Sequence, residues 1–290
     1  AIMSSTKDDA KLIKEKMKKL AELAKTLTPH DLRSSLESSL YQIYKKRPFL
    51  GSILQSLSIM YSTQIPTACV SFDTSGKKWL MQINPVFFCK ILDDKQRIAV
   101  LFHELDHLVN KHPIRLPMKH LPPHLRRVLN IAADMHINQY IQNLPDGCDQ
   151  CPPLMSGEPC PNYKCPGRCI DVKHYYDEDK NGNKTYWPKG LSTDDYYLRL
   201  VQRIQDNEDN DGEGSGQGDG SKGMQSEFDN HDWDGAGDEK EMMDATEDLV
   251  RRAMQKEELS YSDLPGSVKD LLDDIEARRA ELDYSRLIMS

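Results

Sequence analysis

The most informative segment of the chain is IAVLFHELDHLVN, residues 98–110. His103 and His107 stand four positions apart in it, so a helix would present both imidazoles on one face. The neighbouring side chains are mostly apolar, and burying two histidines and a carboxylate among them is costly unless they are paired or bind a metal. The spacing predicts a buried helix that holds zinc through His103 and His107, with Glu104 beside the metal-bound water. Two histidines satisfied at a helix edge without a metal are the alternative.

A catalytic zinc site commonly has three protein ligands and an open fourth position. The favoured third ligand is Asp134, which interrupts the apolar stretch NIAADMHIN, residues 130–138, on a second predicted helix over 124–144. Asn130 and Asn138 flank it at four-residue spacing on the same face. This polar strip on a buried helix is explained by a zinc ligand with supporting amides.

Two alternatives to this assignment stay open. His112 would be the third ligand if the first helix ends near Asn110 and the imidazole turns back toward His107. Without a metal, Asp134 would instead cap a helix or form an ion pair with Arg127.

A second metal site is predicted in a segment that holds five of the seven cysteines: Cys148, Cys151, Cys160, Cys165 and Cys169. Proline and glycine lie between them, with too little apolar content for a core, so a structural zinc knuckle would supply the folding energy. Five ligands exceed four, and either Cys160 or Cys169 must be left out; His174 is a further candidate. The predicted ligand set is Cys148, Cys151, Cys165 and Cys169.

Periodicity predicts a mainly helical α+β fold with a small antiparallel sheet and a cysteine-rich zinc-knuckle insert. The predicted elements are helices at 7–26, 31–46, 93–110, 124–144, 241–258 and 266–281, a hairpin with strands at 67–72 and 79–83, and a second hairpin within 174–187.

We expect four segments along the chain. Residues 1–145 form the core with its N-terminal helices, and 146–205 form the zinc-knuckle insert with its hairpin. Residues 206–240 are acidic and glycine-rich, which is typical of a disordered linker. Residues 241–290 form C-terminal helices that pack on the core.

Composition limits the classes of partner. The formal charge is −8, which disfavours nucleic acid, and no apolar run of about 18 residues is present to span a membrane. An odd number of cysteines, crowded together, favours a metal cluster in a reducing compartment over a disulfide framework. We therefore expect a cytoplasmic protein without membrane contact.

The chain resembles the bacterial and phage metallopeptidase domain found upstream of a von Willebrand factor A-like domain. The resemblance rests on the order of hairpin, Asn84-Pro85, HELDH helix, His112 and NIAADMHIN. It covers about residues 30–145 and resumes at His231-Asp232-Trp233, at 263–272 and at 282–288. The resemblance implies a zincin-like fold. It also implies two candidate partners, an AAA+ ATPase and the von Willebrand factor A-like domain. If the chain is phage-encoded, we expect it in the cytoplasm of the host.

The residues and the resemblance together predict a zinc-dependent peptidase. A metal-activated water would hydrolyse a peptide bond of a protein or peptide substrate, with Glu104 as general base. An exposed edge of the strand at 79–83 would bind the substrate by strand addition. The alternative is a non-catalytic zinc scaffold that docks a partner such as an AAA+ ATPase.

Overall fold

The computed structural model describes residues 5–110, 112, 121–151, 160–179, 181–210 and 238–289. Its helices are α1 (Ser5–Ala24), α2 (Pro29–Lys46), α3 (Pro48–Ser56), α4 (Asp94–Val109), α5 (Pro123–Asn138), α6 (Thr193–Asn210), α7 (Glu239–Lys256) and α8 (Gly266–Met289). Its strands are β1 (Ser58–Tyr61), β2 (Ala68–Asp73), β3 (Lys78–Ile83), β4 (Tyr176–Glu178) and β5 (Lys184–Tyr186). The predicted fold class, a mainly helical α+β protein with a small sheet, is confirmed.

The larger sheet has the strand order β1-β3-β2. The predicted hairpin is confirmed, since β2 and β3 pair antiparallel with Val70 opposite Met81. The apolar segment 49–61, to which the sequence analysis assigned no structure, folds into α3 and β1, and β1 pairs parallel with β3. The sheet is therefore mixed, and the prediction of an open edge at 79–83 is wrong because β3 has a neighbour on each side.

Helix α4 has a defined beginning and end. Asp93 accepts a hydrogen bond from the Gln96 amide at 2.8 Å, and the Gln96 side chain accepts one from the Asp93 amide at 3.0 Å, which forms a capping box. The helix ends at Asn110, whose amide donates to the Asp106 carbonyl at 2.9 Å. These caps set where the helix that carries HELDH begins and ends.

Helix α5 is shorter than the predicted span of 124–144. Tyr140 and Ile141 donate to the carbonyls of Ile137 and Asn138, so the last turn tightens into three-residue spacing. Asn143 then adopts a positive φ of 64°, which stops further helix. Asn138, the last residue of α5, thus sits at the point where the chain leaves the helix.

The buried side chains form two main clusters. The first joins the sheet, α3, α4, α7 and α8, and the second joins α5, α6 and the residues that flank β4 and β5. Helix α6, which the sequence analysis did not predict, packs on α5 and buries Tyr196 and Leu200 in the second cluster. Because α4 belongs to one cluster and α5 to the other, their contact lies between the two.

Helix α7, the first of the two C-terminal helices, packs against α3 and β3. Its Thr246 hydroxyl accepts a buried hydrogen bond from the Trp79 indole at 2.9 Å. Of the predicted linker, residues 206–210 are the end of α6, and 211–237 lie outside the described residues, as does His231-Asp232-Trp233. Among the described residues, no helix combines the length and apolar content needed to span a bilayer.

Candidate metal centre

His103 and His107 on α4 meet Asp134 on α5 in the buried contact between the two helices. The Nε2 atoms of the two histidines lie 3.2 Å apart, and a carboxylate oxygen of Asp134 is 3.3 Å from that of His107 and 4.0 Å from that of His103. All three residues are at most 1% exposed. Two imidazole nitrogens and one carboxylate are a donor set that zinc accepts, so these residues can hold a metal ion.

Asn138 contacts the first of these histidines. Its Oδ1 lies 2.7 Å from Nδ1 of His103, and its Nδ2 donates to the carbonyl oxygen of Ile170 at 2.6 Å. The sequence analysis placed Asn130 and Asn138 as supporting amides. Asn130 is also buried, at 8% exposure, and Asn138 has a hydrogen bond to a candidate ligand.

His112 contacts His107 through the ring nitrogen that does not face Asp134. Its Nδ1 lies 2.9 Å from Nδ1 of His107, and its Nε2 lies 3.1 Å from the hydroxyl of Thr193. His112 therefore approaches the ring nitrogen of His107 that points away from Asp134. The geometry groups Asp134, rather than His112, with the two histidines of HELDH.

Glu104 follows His103 directly and is 2% exposed. The second carboxyl group of HELDH is less enclosed: Asp106 is half-buried. Burial raises the pKa of Asp106 to about 6, against the opposing influence of His103 and Arg47. Glu104 is thus the more deeply buried of the two acids that border the candidate ligands.

One residue near the site was missed by the sequence analysis. Tyr175, which precedes β4, is 4% exposed, and its ring lies 5.5 Å from that of Trp187. Burial raises the pKa of its phenol, and the negative charge of Asp134 raises it further. No pattern in the sequence separates Tyr175 from its neighbour Tyr176, because only the folded chain brings it near Asp134.

Four cysteines form a second group able to hold a metal ion: Cys148, Cys151, Cys160 and Cys165. The sulfur atoms of Cys148 and Cys160 are 3.6 Å apart, and those of Cys151 and Cys165 are 3.5 Å apart. A short turn joins Cys148 to Cys151, since the Cys151 amide donates to the Cys148 carbonyl at 2.9 Å. Four converging sulfur atoms fit the closed ligand set of a structural zinc site.

Cys169, which the predicted ligand set included in place of Cys160, lies outside this group. Its side chain is 2% exposed in the first core cluster, and burial, with the nearby charge of Asp171, raises its pKa to about 12. His174 is also elsewhere, with its Nε2 3.1 Å from Asp146. The folded geometry therefore brings Cys160, rather than Cys169, together with the other three cysteines.

Three of the four grouped thiols, Cys148, Cys160 and Cys165, differ in acidity. Burial raises the pKa of Cys160 to about 11 and raises that of Cys165 as well. At Cys148 the effect of burial is outweighed by hydrogen bonds from the backbone of Gln150 and from the neighbouring thiols, and the pKa falls to about 7. Metal binding needs thiolates. Cys148 has the lowest pKa of these three cysteines, so its thiol is the first to lose its proton and become a ligand.

The fold and the two ligand groups define a mainly helical α+β protein with an HExxH helix and an accompanying cysteine cluster. The chain belongs to the family described as "Putative metallopeptidase domain", whose sequence model matches residues 33–283. The match includes the HELDH helix, Asp134 and all five clustered cysteines. No curated protein matches the chain. No solved structure matches it either.

Proposed function

We propose that this chain is a zinc-dependent peptidase. The observation that carries the proposal is the convergence of His103, His107 and Asp134 in a buried contact, with Glu104 next to the first ligand. Membership of the metallopeptidase family supports the same class of reaction. A second zinc ion, held by Cys148, Cys151, Cys160 and Cys165, would have a structural role.

Each residue of the histidine site would have its own role in the proposed reaction. His103 and His107 would bind the catalytic ion through Nε2 and Asp134 through its carboxylate, which leaves a position for water or substrate. Bound zinc would supply a more acidic water and polarise the scissile carbonyl. Glu104 would accept a proton from the water and deliver it to the amine that leaves, so the peptide bond is hydrolysed without a covalent intermediate.

The test separates metal binding from chemistry. Glu104→Gln should bind zinc as the wild type does and cleave a peptide library about 10²- to 10⁴-fold more slowly, because only proton transfer is removed. Asp134→Ala should lose both the catalytic zinc and activity. The matched control is Glu37→Gln on α2, an exposed position that should change neither quantity. Zinc analysis and mass spectrometry of the digested library give the two measurements.

A non-catalytic scaffold that docks a partner such as an AAA+ ATPase is the competing function. A scaffold would need the metal but not the acid at position 104. Full activity of Glu104→Gln on a peptide cleaved by the wild type would refute the proposed mechanism. A zinc-loaded wild type that cleaves no peptide would favour the scaffold, and binding of candidate ATPases to the wild type and Asp134→Ala would then test it.

A further inference from the structure

The side chain of Asn138 links the histidine group to the segment that carries the cysteines. It is 1% exposed and lies at the end of α5. On one side it contacts Nδ1 of His103, and on the other it donates to the carbonyl oxygen of Ile170, five residues after Cys165. Both bonds, at 2.7 and 2.6 Å, are short enough to hold the amide firmly.

The bond to Ile170 determines which way the amide points. A carbonyl oxygen only accepts, so the group that faces Ile170 must be the NH₂ of Asn138, and Oδ1 must then face His103. Because Oδ1 also only accepts, Nδ1 of His103 must carry the proton. The lone pair of His103 is thereby left on Nε2, the nitrogen that faces His107 and Asp134.

Ile170 is in turn held by the base of the cysteine cluster. The Cys169 amide donates to the Pro145 carbonyl at 3.0 Å, and Asp146 and Arg168 form an antiparallel bridge. We call these two pairs the neck, because the chain enters the cluster through one strand of it and leaves through the other. Cys148 lies two residues after Asp146, and Cys165 lies three residues before Arg168, so closing the cluster also fixes the neck.

We propose that Asn138 is a positioning residue through which the closed cysteine cluster sets the orientation and proton position of His103. The inference rests on the proposed function for the identity of the histidine site. It assigns the cysteine cluster a role beyond stabilising its own segment. An opened cluster would release the neck, move the Ile170 carbonyl and free the Asn138 amide to turn, which presents the wrong group to His103.

Two substitutions separate the two bonds of the amide. Asn138→Leu removes both, and should weaken zinc at the histidine site about 10- to 100-fold, the usual cost of losing a partner of a metal-binding histidine. Asn138→Asp keeps an acceptor for His103 but cannot donate to Ile170, so it should recover most of that affinity. The control is Gln139→Leu, which removes the side-chain amide of the next residue and should bind zinc as the wild type does.

Affinities are measured by chelator competition on the full chain. Cobalt replacement distinguishes the sites, since thiolate charge-transfer bands mark the cysteine cluster and weaker visible bands mark the histidine site. Both Asn138 variants should leave the thiolate bands unchanged, while Asn138→Leu alters the visible bands. A wild-type affinity and spectrum for Asn138→Leu would overturn the proposal.

The coupling itself is tested by opening the cluster. Cys160→Ser should weaken the histidine site in the natural chain but have little further effect in the Asn138→Asp background, where the link to Ile170 is already lost. Cys89→Ser, outside both groups, is the control. An equal loss in both backgrounds would refute coupling through Asn138, and the Asn138 variants keep the proposal testable if Cys160→Ser does not fold. A wild type without zinc at the histidine site would refute the proposed function too, so the two failures are distinguishable.

Discussion

The Nδ1 atoms of His107 and His112 lie 2.9 Å apart, and this contact determines how each histidine can be used. One of the two nitrogens must carry a proton for the contact to be a hydrogen bond. If Nε2 of His107 binds the metal, its Nδ1 is the donor and His112 is the acceptor. His112 then donates from Nε2 to Thr193, and it orients the ligand without being one.

This relationship predicts different outcomes for two alanine substitutions. His112→Ala should keep one zinc at the histidine site when zinc is saturating, with an affinity about 10- to 100-fold lower. Asp134→Ala should lose that zinc, because two histidines alone bind it weakly. Elemental analysis after gel filtration, with competition against a chelator, measures both. The assignment is refuted if His112→Ala strips the zinc while Asp134→Ala retains it.

Spacing along a helix was enough to predict much of the candidate site. His103, Glu104 and His107 could be found because HELDH stands in an apolar helix, and Asp134 because a carboxylate there interrupts the apolar face of α5. The sequence favoured Asp134 but left His112 open as an alternative, since His112 lies just beyond the end of α4. The choice depends on where that helix stops and how α5 crosses it.

The cysteine group shows the same limit. The CxxC pair of Cys148 and Cys151 could be recognised from spacing, but Cys160 and Cys169 are equivalent in sequence terms. The neck decides between them: the Cys169 amide is used in pairing with Pro145, and its side chain packs in the first core cluster. In the fold, β1 was missed because four residues are too few to show a period, whereas α6 was overlooked although Tyr196, Leu200 and Ile204 recur in it at four-residue spacing.

The group of four cysteines that the fold brings together gives a second prediction. Cys160→Ser should reduce zinc content by about one ion per chain from an expected total of about two, and it should lower thermal stability. Cys169→Ser removes an equally buried thiol outside the group and should leave the zinc content unchanged. Elemental analysis of the purified variants decides the matter. Loss of zinc from Cys169→Ser alone would restore the set expected from sequence.

Gly147 and Gly190 form a matched pair for a third prediction. Both have a positive φ, 78° and 85°, so alanine strains the backbone at either position by about 1–2 kcal/mol. At Gly147 a Cβ would also lie 2.7 Å from the sulfur of Cys151, whereas nothing lies within 4 Å at Gly190. Gly147→Ala should therefore weaken zinc binding by the cysteines, and Gly190→Ala should not. Equal zinc affinities, measured by chelator competition, would contradict this role.

The sheet allows a test of the core. Met81 on β3 is 0% exposed, and Met60 on β1 is 48% exposed. Met81→Ala should lower the free energy of unfolding by about 2–5 kcal/mol, since it leaves a cavity that the surrounding strands and helices cannot fill. Met60→Ala should change it by less than about 0.5 kcal/mol, as is usual for surface positions. Urea denaturation, analysed with the same m-value for both variants, measures these changes in the free energy of unfolding. Similar losses would mean that β3 is not central to the core.

The last prediction concerns the stabilisation that the catalytic zinc provides to the folded chain. A ligand that binds only the native state adds free energy that grows with its concentration relative to Kd, about 4 kcal/mol at a thousandfold excess. Glu104→Gln should keep this zinc-dependent rise in Tm in full, because its side chain is not among the grouped ligands. Asp134→Ala should lose it. The reference scan is run at a chelator concentration that empties the histidine site and leaves the cysteine cluster loaded, verified by zinc analysis, and a second scan is run with zinc in excess. A zinc-dependent rise that persists in Asp134→Ala would place the stabilising ion elsewhere, and a rise absent from Glu104→Gln would make Glu104 a ligand and remove it as the general base.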